Sequence, residues 1–269
     1  MDALNIKYED PEMILVVKPA GVATESRRVG EKDMLSMVKT YRVERGESDY
    51  AGMLHRLDQP VGGLLLFAKT KEAAAKLSKQ IQDGAIEKYY KALLCGRIEE
   101  EGELTDYLLR DGKTNISRVV EKGTSGAKKA SLTFRRLKVF SGEVNGKPER
   151  SSLSEDDSFS EKQSASGRDC ISLVEIKLAT GRHHQIRVQM AHHGFPLLGD
   201  RKYTLIPQCE VHKDGNIVSG QCSDLPQPQA FFKEEKLQGP ALFAWRLKFR
   251  HPKTGKWMDF TEEPPWILE

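Results

Sequence analysis

The segment Leu54–Thr70, LHRLDQPVGGLLLFAKT, leaves the chain little choice of local structure. It opens with the polar cluster His55-Arg56-Leu57-Asp58, turns through Gln59-Pro60-Val61-Gly62-Gly63, and ends in the apolar run Leu64–Ala68. Proline and paired glycines punctuate the backbone, so the polar cluster sits on a loop that leads into a strand. The run does not alternate and is far too short to span a membrane, so it reads as a central strand covered on both faces. A carboxylate on a loop anchored by a rigid buried strand is well placed for chemistry. The plainer reading of the same residues is a surface ion pair between Arg56 and Asp58 at a strand entrance.

With 269 residues, 38% of them hydrophobic and 30% charged, the chain has the makings of one large domain or two small ones. It has no apolar stretch of ~18 residues, so no transmembrane helix is expected. The start, MDALNIKYEDPEM, carries acids and no signal-type apolar region, which predicts a cytoplasmic protein. The net charge of +3 permits a nucleic-acid partner without requiring one. The cysteines at 95, 170, 209 and 222 form no C-x-x-C pair. Cys209-x-x-His212 with Cys222 is a partial metal pattern lacking a fourth ligand, so neither a metal nor a disulfide framework is expected.

Taken in order, Met13–Val17 reads as a strand broken by Lys18-Pro19-Ala20-Gly21. Asp33 caps a helix to about Arg45, stopped by Gly46, with Leu35, Val38 and Val43 inward. Thr70 caps a second helix, Lys71 to Asp83, stopped by Gly84, with Ala73, Ala74, Leu77 and Ile81 on one face. Glu87–Leu94 is a strand presenting Tyr90, Ala92 and Leu94 to one side and Tyr89, Lys91 and Leu93 to the other. Further strands fall at 105–109, 117–120, 131–140 (Leu132, Phe134 and Leu137, with a bulge) and 171–178, and a closing hairpin at 241–249 and 257–260. The plan is α+β: a mixed, mainly antiparallel sheet with flanking helices. Between Ser141 and Asp169 seven acids stand against four bases, with almost no large apolar residue. This stretch reads as a flexible acidic insertion of net charge −3, which leaves +6 on the remainder. Residues 207–240 read as a second irregular excursion. The whole is taken as a single catalytic-size domain, residues 1–269, carrying these two excursions.

A second polar cluster lies at Thr180–Tyr203, TGRHHQIRVQMAHHGFPLLGDRKY. A helix from about His183 to His193 would place His183 and Arg187 on one face and Ile186 and Met190 on another. Its plain reading is a solvated basic helix, or histidines satisfied in the core; Gly199-Asp200 reads as a tight turn with no chemistry of its own. From the two clusters a mechanism can be assembled. A nucleophilic carboxylate must stay ionised, and a neighbouring Arg favours that form. An aromatic ring offers a stacking surface for a flat base, and its hydroxyl can relay a proton. A second basic residue can hold phosphate or fill the space left by a flipped base. Asp58, Arg187, Tyr90 and Arg56 are the candidates for these roles.

HRLD, followed by a small-residue turn and GLLLFAKT, resembles the signature of RluA-type RNA pseudouridine synthases. Tyr8-Glu-Asp with Leu15–Gly21 is similar to that family's opening strand and loop, and Glu87-Lys-Tyr-Tyr-Lys-Ala92 to its E-K-x-Y-x-A strand. Thr180–Arg187 with Gly194-x-Pro196 and Gly199-Asp200 is similar to its TGRxHQIR segment. The matches run in the family's order over almost the whole chain. The resemblance implies isomerisation of uridine to pseudouridine in structured RNA, tRNA or rRNA, without cofactor or metal. Asp58 matches the essential aspartate, which attacks the ribose C1′ or the uracil ring, and Arg187 its basic partner. Tyr90, rather than Tyr89, matches the tyrosine that stacks on uracil, and Arg56 the residue that replaces the flipped nucleotide. The motif neighbours His55, Arg182, His184 and Gln185 join Arg56 as expected RNA- or substrate-binding residues.

The chain also departs from the family pattern. Val61-Gly62-Gly63 stands where a Thr-Ser-Gly type turn is usual, which removes two hydroxyls and is expected to loosen the backbone near Asp58. Leu242-Phe243-Ala244 lacks the usual central histidine. The sequence starts at the catalytic region with no S4 domain, so RNA selection is expected from the catalytic domain, its insertions or a partner. Two other classes compete: an RNA-binding assembly or folding factor that has lost catalysis, and a metal-dependent hydrolase built on the histidine pairs. Neither the RNA, the uridine position nor the oligomeric state is written in these motifs.

Overall fold

The computed structural model of the protein describes residues 4–26, 30–141, 170–203 and 239–266. Both excursions, 141–169 and 207–240, and the Cys209/His212/Cys222 pattern fall almost wholly outside the described residues. The strands are β1 (Ile6–Glu9), β2 (Met13–Lys18), β3 (Gly52–Met53), β4 (Gly62–Ala68), β5 (Glu87–Cys95), β6 (Glu101–Asp111), β7 (Ile116–Val120), β8 (Lys128–Ser141), β9 (Cys170–Leu178), β10 (Leu242–Arg250) and β11 (Trp257–Thr261). The helices are α1 (Met34–Glu44), α2 (Lys71–Gln82) and α3 (Gln185–His192). The strands form one sheet in the order β1-β2-β4-β10-β5-β9-β8-β6-β7, with β11 on β10 and β3 on β4. Among the described residues only the β4–β10 strand pairing is parallel; the other strand pairings are antiparallel, which is the mixed α+β plan expected. No helix among the described residues is long and apolar enough to cross a membrane.

β4 is buried at every position, as its unbroken apolar run requires. Leu65 and Phe67 enter a core shared with Val38 of α1, Tyr90 and Ala92 of β5, and Ile186 and Met190 of α3. Leu64, Leu66 and Ala68 pack on the other side with Ala73 and Leu77 of α2. Full burial of each large aliphatic side chain contributes about 1.5–3 kcal/mol, so this strand fixes the frame to which the polar loop is attached. α1 starts with a reciprocal cap: Asp33 Oδ1 accepts from Ser36 N at 2.7 Å, and Ser36 Oγ from Asp33 N. Thr70 caps α2 by accepting from Ala73 N.

Several local expectations are corrected. Val43 is 55% exposed, not inward. Arg42 takes the buried place because its guanidinium bonds Tyr50 O, Lys69 O and Glu47. The bulge in β8 falls between Arg136 and Lys138 and turns Leu137 to solvent. The third helix starts at Gln185, so His183 is not on its face. α3 is buried from Gln185 to Ala191, which rules out a solvated basic helix.

The turn after Asp58 is not loosened. Val61 is in the core, and its N–H closes a turn onto Asp58 O at 2.9 Å. Gly63 has φ +126°, and a Cβ there would lie 2.4–2.7 Å from the backbone of Ala244. Its place as glycine is set by the close parallel approach of β10. Beyond Ala244 the two strands part, and the chain from Gly52 to His55 takes over the vacated edge of β4. Gly52 and Met53 pair with Ala68 and Phe67, and His55 Nε2 accepts from Leu66 N at 3.3 Å.

Candidate active site

Asp58 is held from both sides by its own neighbours. Leu57 is buried, and the Thr24 hydroxyl donates to Leu57 O at 2.9 Å while accepting from Leu57 N at 3.1 Å. Gln59 O accepts from Gly21 N and from Lys18 Nζ, both at 2.9 Å. The Lys18 ammonium also donates to Pro19 O and Val22 O, so this buried side chain ties the loop after β2 to the loop before β4. Burial pushes Lys18 down to about 7, against the pull of the Asp58 charge.

The carboxylate fixed in this way stays partly open, with 26% of its side chain exposed. Arg187 Nη1, from α3, donates to Asp58 Oδ2 at 3.3 Å. The other edge of the same guanidinium grips Asp200, with Nε to Oδ2 at 2.7 Å and Nη2 to Oδ1 at 2.8 Å. Tyr203 lies under it, 5.1 Å from guanidinium carbon to ring centroid. Burial works against the Arg187 charge, but the Asp200 hydrogen bonds and the charges of Asp200 and Asp58 outweigh it and raise the pKa. The guanidinium is therefore a permanent cation spanning two carboxylates. His184 Nε2 approaches the same Asp58 oxygen, Oδ2, at 3.6 Å. The nearest contacts of both the guanidinium and the ring are with Oδ2, and no side-chain hydrogen bond among the described residues uses Oδ1.

Tyr90 reaches the site from β5 and is buried, and burial together with the Asp58 charge raises its pKa. Its phenol stays protonated at neutral pH. Arg56 and Arg182 are exposed; Arg182 Nε donates to Lys129 O.

Three expected RNA- or substrate-binding residues turn inward instead, His184 toward Tyr203 and Asp58, and Gln185 and His55 as follows. Gln185 is buried: Oε1 accepts from Thr180 Oγ1 and Arg182 N, and Nε2 donates to Ser131 O, so its amide braces the turn before α3. His55 presents Nε2 to β4, and its Nδ1 is enclosed without a partner; burial, and then the Lys88 charge, push it down to about 3.

The plain Arg56–Asp58 ion pair is replaced by the long-range pair with Arg187. Gly199-Asp200 was expected to carry no chemistry, yet Asp200, 1% exposed, is the main partner of Arg187. Asp200, Tyr203 and Lys18 are the site residues that sequence reasoning missed. The sign was that Lys18 and Asp200 lie inside the matched segments and Tyr203 closes the second polar cluster. Among the described residues no group of three or more His, Cys, Asp or Glu side chains is arranged to hold a metal ion. A concavity of about 520 Å³, lined by Tyr89, Phe134, Glu175 and Lys177 among others, does not include Asp58, Tyr90 or Arg187.

Residues 12–192 match the sequence profile of the RNA pseudouridylate synthases. The chain belongs to this family. It is 30% identical over 254 residues to ribosomal large subunit pseudouridine synthase D of Nitrosomonas europaea, covering 94% of this chain and 60% of that protein. It is equally 30% identical over 254 residues to tRNA pseudouridine synthase C of Haemophilus ducreyi, covering 93% of this chain and 87% of that one. The chain therefore spans less than two thirds of the first relative and most of the second. In fold it is similar to human RNA pseudouridylate synthase domain containing 1, with TM-score 0.63, 20% identity, and coverage of 99% of this chain and 85% of that one. As a pseudouridylate synthase family member, the chain carries its convergence of Asp58, Tyr90 and Arg187 within or beside the profile's span.

Proposed function

We propose that this chain isomerises uridine to pseudouridine in structured RNA, with Asp58 as nucleophile. One observation carries the reading: a partly exposed carboxylate on a braced loop, paired through Oδ2 with a buried Arg187 that Asp200 holds in place. The pairing fixes Oδ2 in place and leaves Oδ1 to attack the ribose C1′ or the uracil ring. In the net reaction the N1–C1′ bond breaks, a C5–C1′ bond forms, C5 gives up its proton and N1 takes one. No oxidant or reductant is required.

Tyr90 offers its ring to the uracil and, being held protonated, acts as a platform and donor rather than as a base. Arg56, exposed next to the nucleophile's loop, fills the place of the flipped nucleotide, and Arg182 meets phosphate. The reading includes a cytoplasmic location and an RNA of the tRNA or large-subunit rRNA class, since relatives named for each are equally similar.

The test is tritium release from C5-labelled uridine in tRNA and, separately, in large-subunit rRNA. Release from one of the two establishes the activity and names the class. Binding of both without release would move the chain to a non-catalytic RNA-binding role.

A further inference from the structure

A chain of hydrogen bonds runs to His184, whose ring approaches Asp58, and has no part in the reaction as described above. The Ser117 backbone N–H, on β7, donates to the Tyr203 hydroxyl at 3.0 Å. That hydroxyl is buried, and its remaining partner among the described residues is His184 Nδ1, at 2.6 Å. A phenol carries one proton. With Ser117 supplying the donor on one side, the Tyr203 proton goes to His184 Nδ1. The neutral imidazole must then carry its own proton on Nε2, the atom 3.6 Å from Asp58 Oδ2.

The ring is neutral across the working range. Burial first, then the Arg187 and Lys202 charges, push His184 down to about 3; Arg110 acts in the same direction, and Asp200 opposes it. His183 stacks on the ring at 3.7 Å between centroids and is itself pushed down to about 4, so it adds no charge.

The backbone gives independent support. His184 occupies the N-cap of α3 with φ 53°, a left-handed conformation, and makes no side-chain cap hydrogen bond. A cap position usually holds Ser, Thr, Asp or Asn bonded to the helix amides. Here a non-glycine residue accepts a strained φ while its side chain turns away from the helix toward Tyr203 and Asp58.

We propose that His184 and Tyr203 are positioning residues for Asp58, fixing the Nε2–H tautomer of His184 so that it and Arg187 together hold Oδ2 and present Oδ1 to the substrate. At 3.6 Å the contact is longer than a hydrogen bond, and it closes when substrate expels water from the carboxylate. This rests on the reading of Asp58 as the nucleophile.

Two measurements test it. In protein with isotope-labelled histidine, the nitrogen spectrum should show His184 protonated at Nε2 and not at Nδ1, without titration from about pH 5 to pH 8. Tyr203→Phe should convert it to a tautomer mixture. In turnover of labelled RNA, Tyr203→Phe and His184→Ala should each lower kcat by roughly tenfold, the scale of one lost hydrogen bond, with RNA affinity unchanged. His184→Gln, which keeps an N–H donor, should recover most of the loss, and the double variant Tyr203→Phe/His184→Ala should be no slower than His184→Ala.

A proton on Nδ1, additive losses, or weakened RNA affinity at unchanged kcat would overturn the proposal. The tautomer measurement needs no turnover. A wild-type protein inactive on every RNA would overturn the reading of the site, whereas an Nδ1–H tautomer in an active enzyme would overturn the relay alone.

Discussion

Asp200 grips Arg187 along the Nε–Nη2 edge of its guanidinium, at 2.7 and 2.8 Å, and leaves only Nη1 for Asp58. The closer pair is the fully buried one. Asp200 therefore decides where Nη1 points, and Asp58, the proposed nucleophile, receives a donor whose direction is already set.

Asp200→Asn should show this in two ways. Breaking a buried ion pair and leaving Arg187 with one carboxylate should destabilise the fold by about 3 kcal/mol, read by denaturant unfolding. Turnover should fall by roughly 10–100-fold, because the guanidinium is no longer oriented. Arg187→Lys should behave similarly, since an ammonium cannot bridge two carboxylates with a planar fork. Unchanged turnover in a folded Asp200→Asn protein would contradict the positioning role.

Gly63→Ala tests the packing that sets the Asp58 loop against β10. The added methyl would overlap the Ala244 backbone at a φ of +126°. A loss of about 3 kcal/mol or more is expected, visible as a drop in thermal midpoint or in soluble yield. A neutral outcome would mean that β4 and β10 separate at little cost.

Acid should weaken the fold through its buried neutral histidines. His55 has an unfolded value near 6.5 and a folded one of about 3. The unfolded chain therefore binds more protons below about pH 6.5, and stability falls as pH drops. The stabilisation is complete above about pH 6.5; on the order of 3 kcal/mol is lost by about pH 4 from this residue. His55→Gln should flatten the stability profile over that interval, measured by urea unfolding at successive pH values. An unaltered slope would contradict the burial account of His55.

The sequence revealed elements whose own residues dictate their environment. Leu64–Ala68 could only be buried on both faces, Thr70 and Asp33 cap the helices they precede, and the alternation in 87–94 sends Tyr90 to the face shared with Leu65 and Ile186. What escaped it depends on distant partners. Val43 loses its inward place to Arg42 because carbonyls at Tyr50 and Lys69 await a guanidinium. α3 begins later than its periodicity implies because the ring of His184 is directed at Tyr203. Asp200 looks like a turn residue until β-sheet and helix bring Arg187 to it, and the glycines after Asp58 look loosening until β10 closes on them.

The most direct test of the account is pseudouridine formation by Asp58→Asn beside the wild-type protein, on the RNA class that gives C5 tritium release. Asparagine preserves shape and hydrogen bonding but not nucleophilic charge. Formation is expected to fall by roughly 10⁴-fold or more, with RNA affinity and thermal stability near wild type. Turnover near wild type in that variant would contradict Asp58 as the nucleophile, and with it the site built around Arg187.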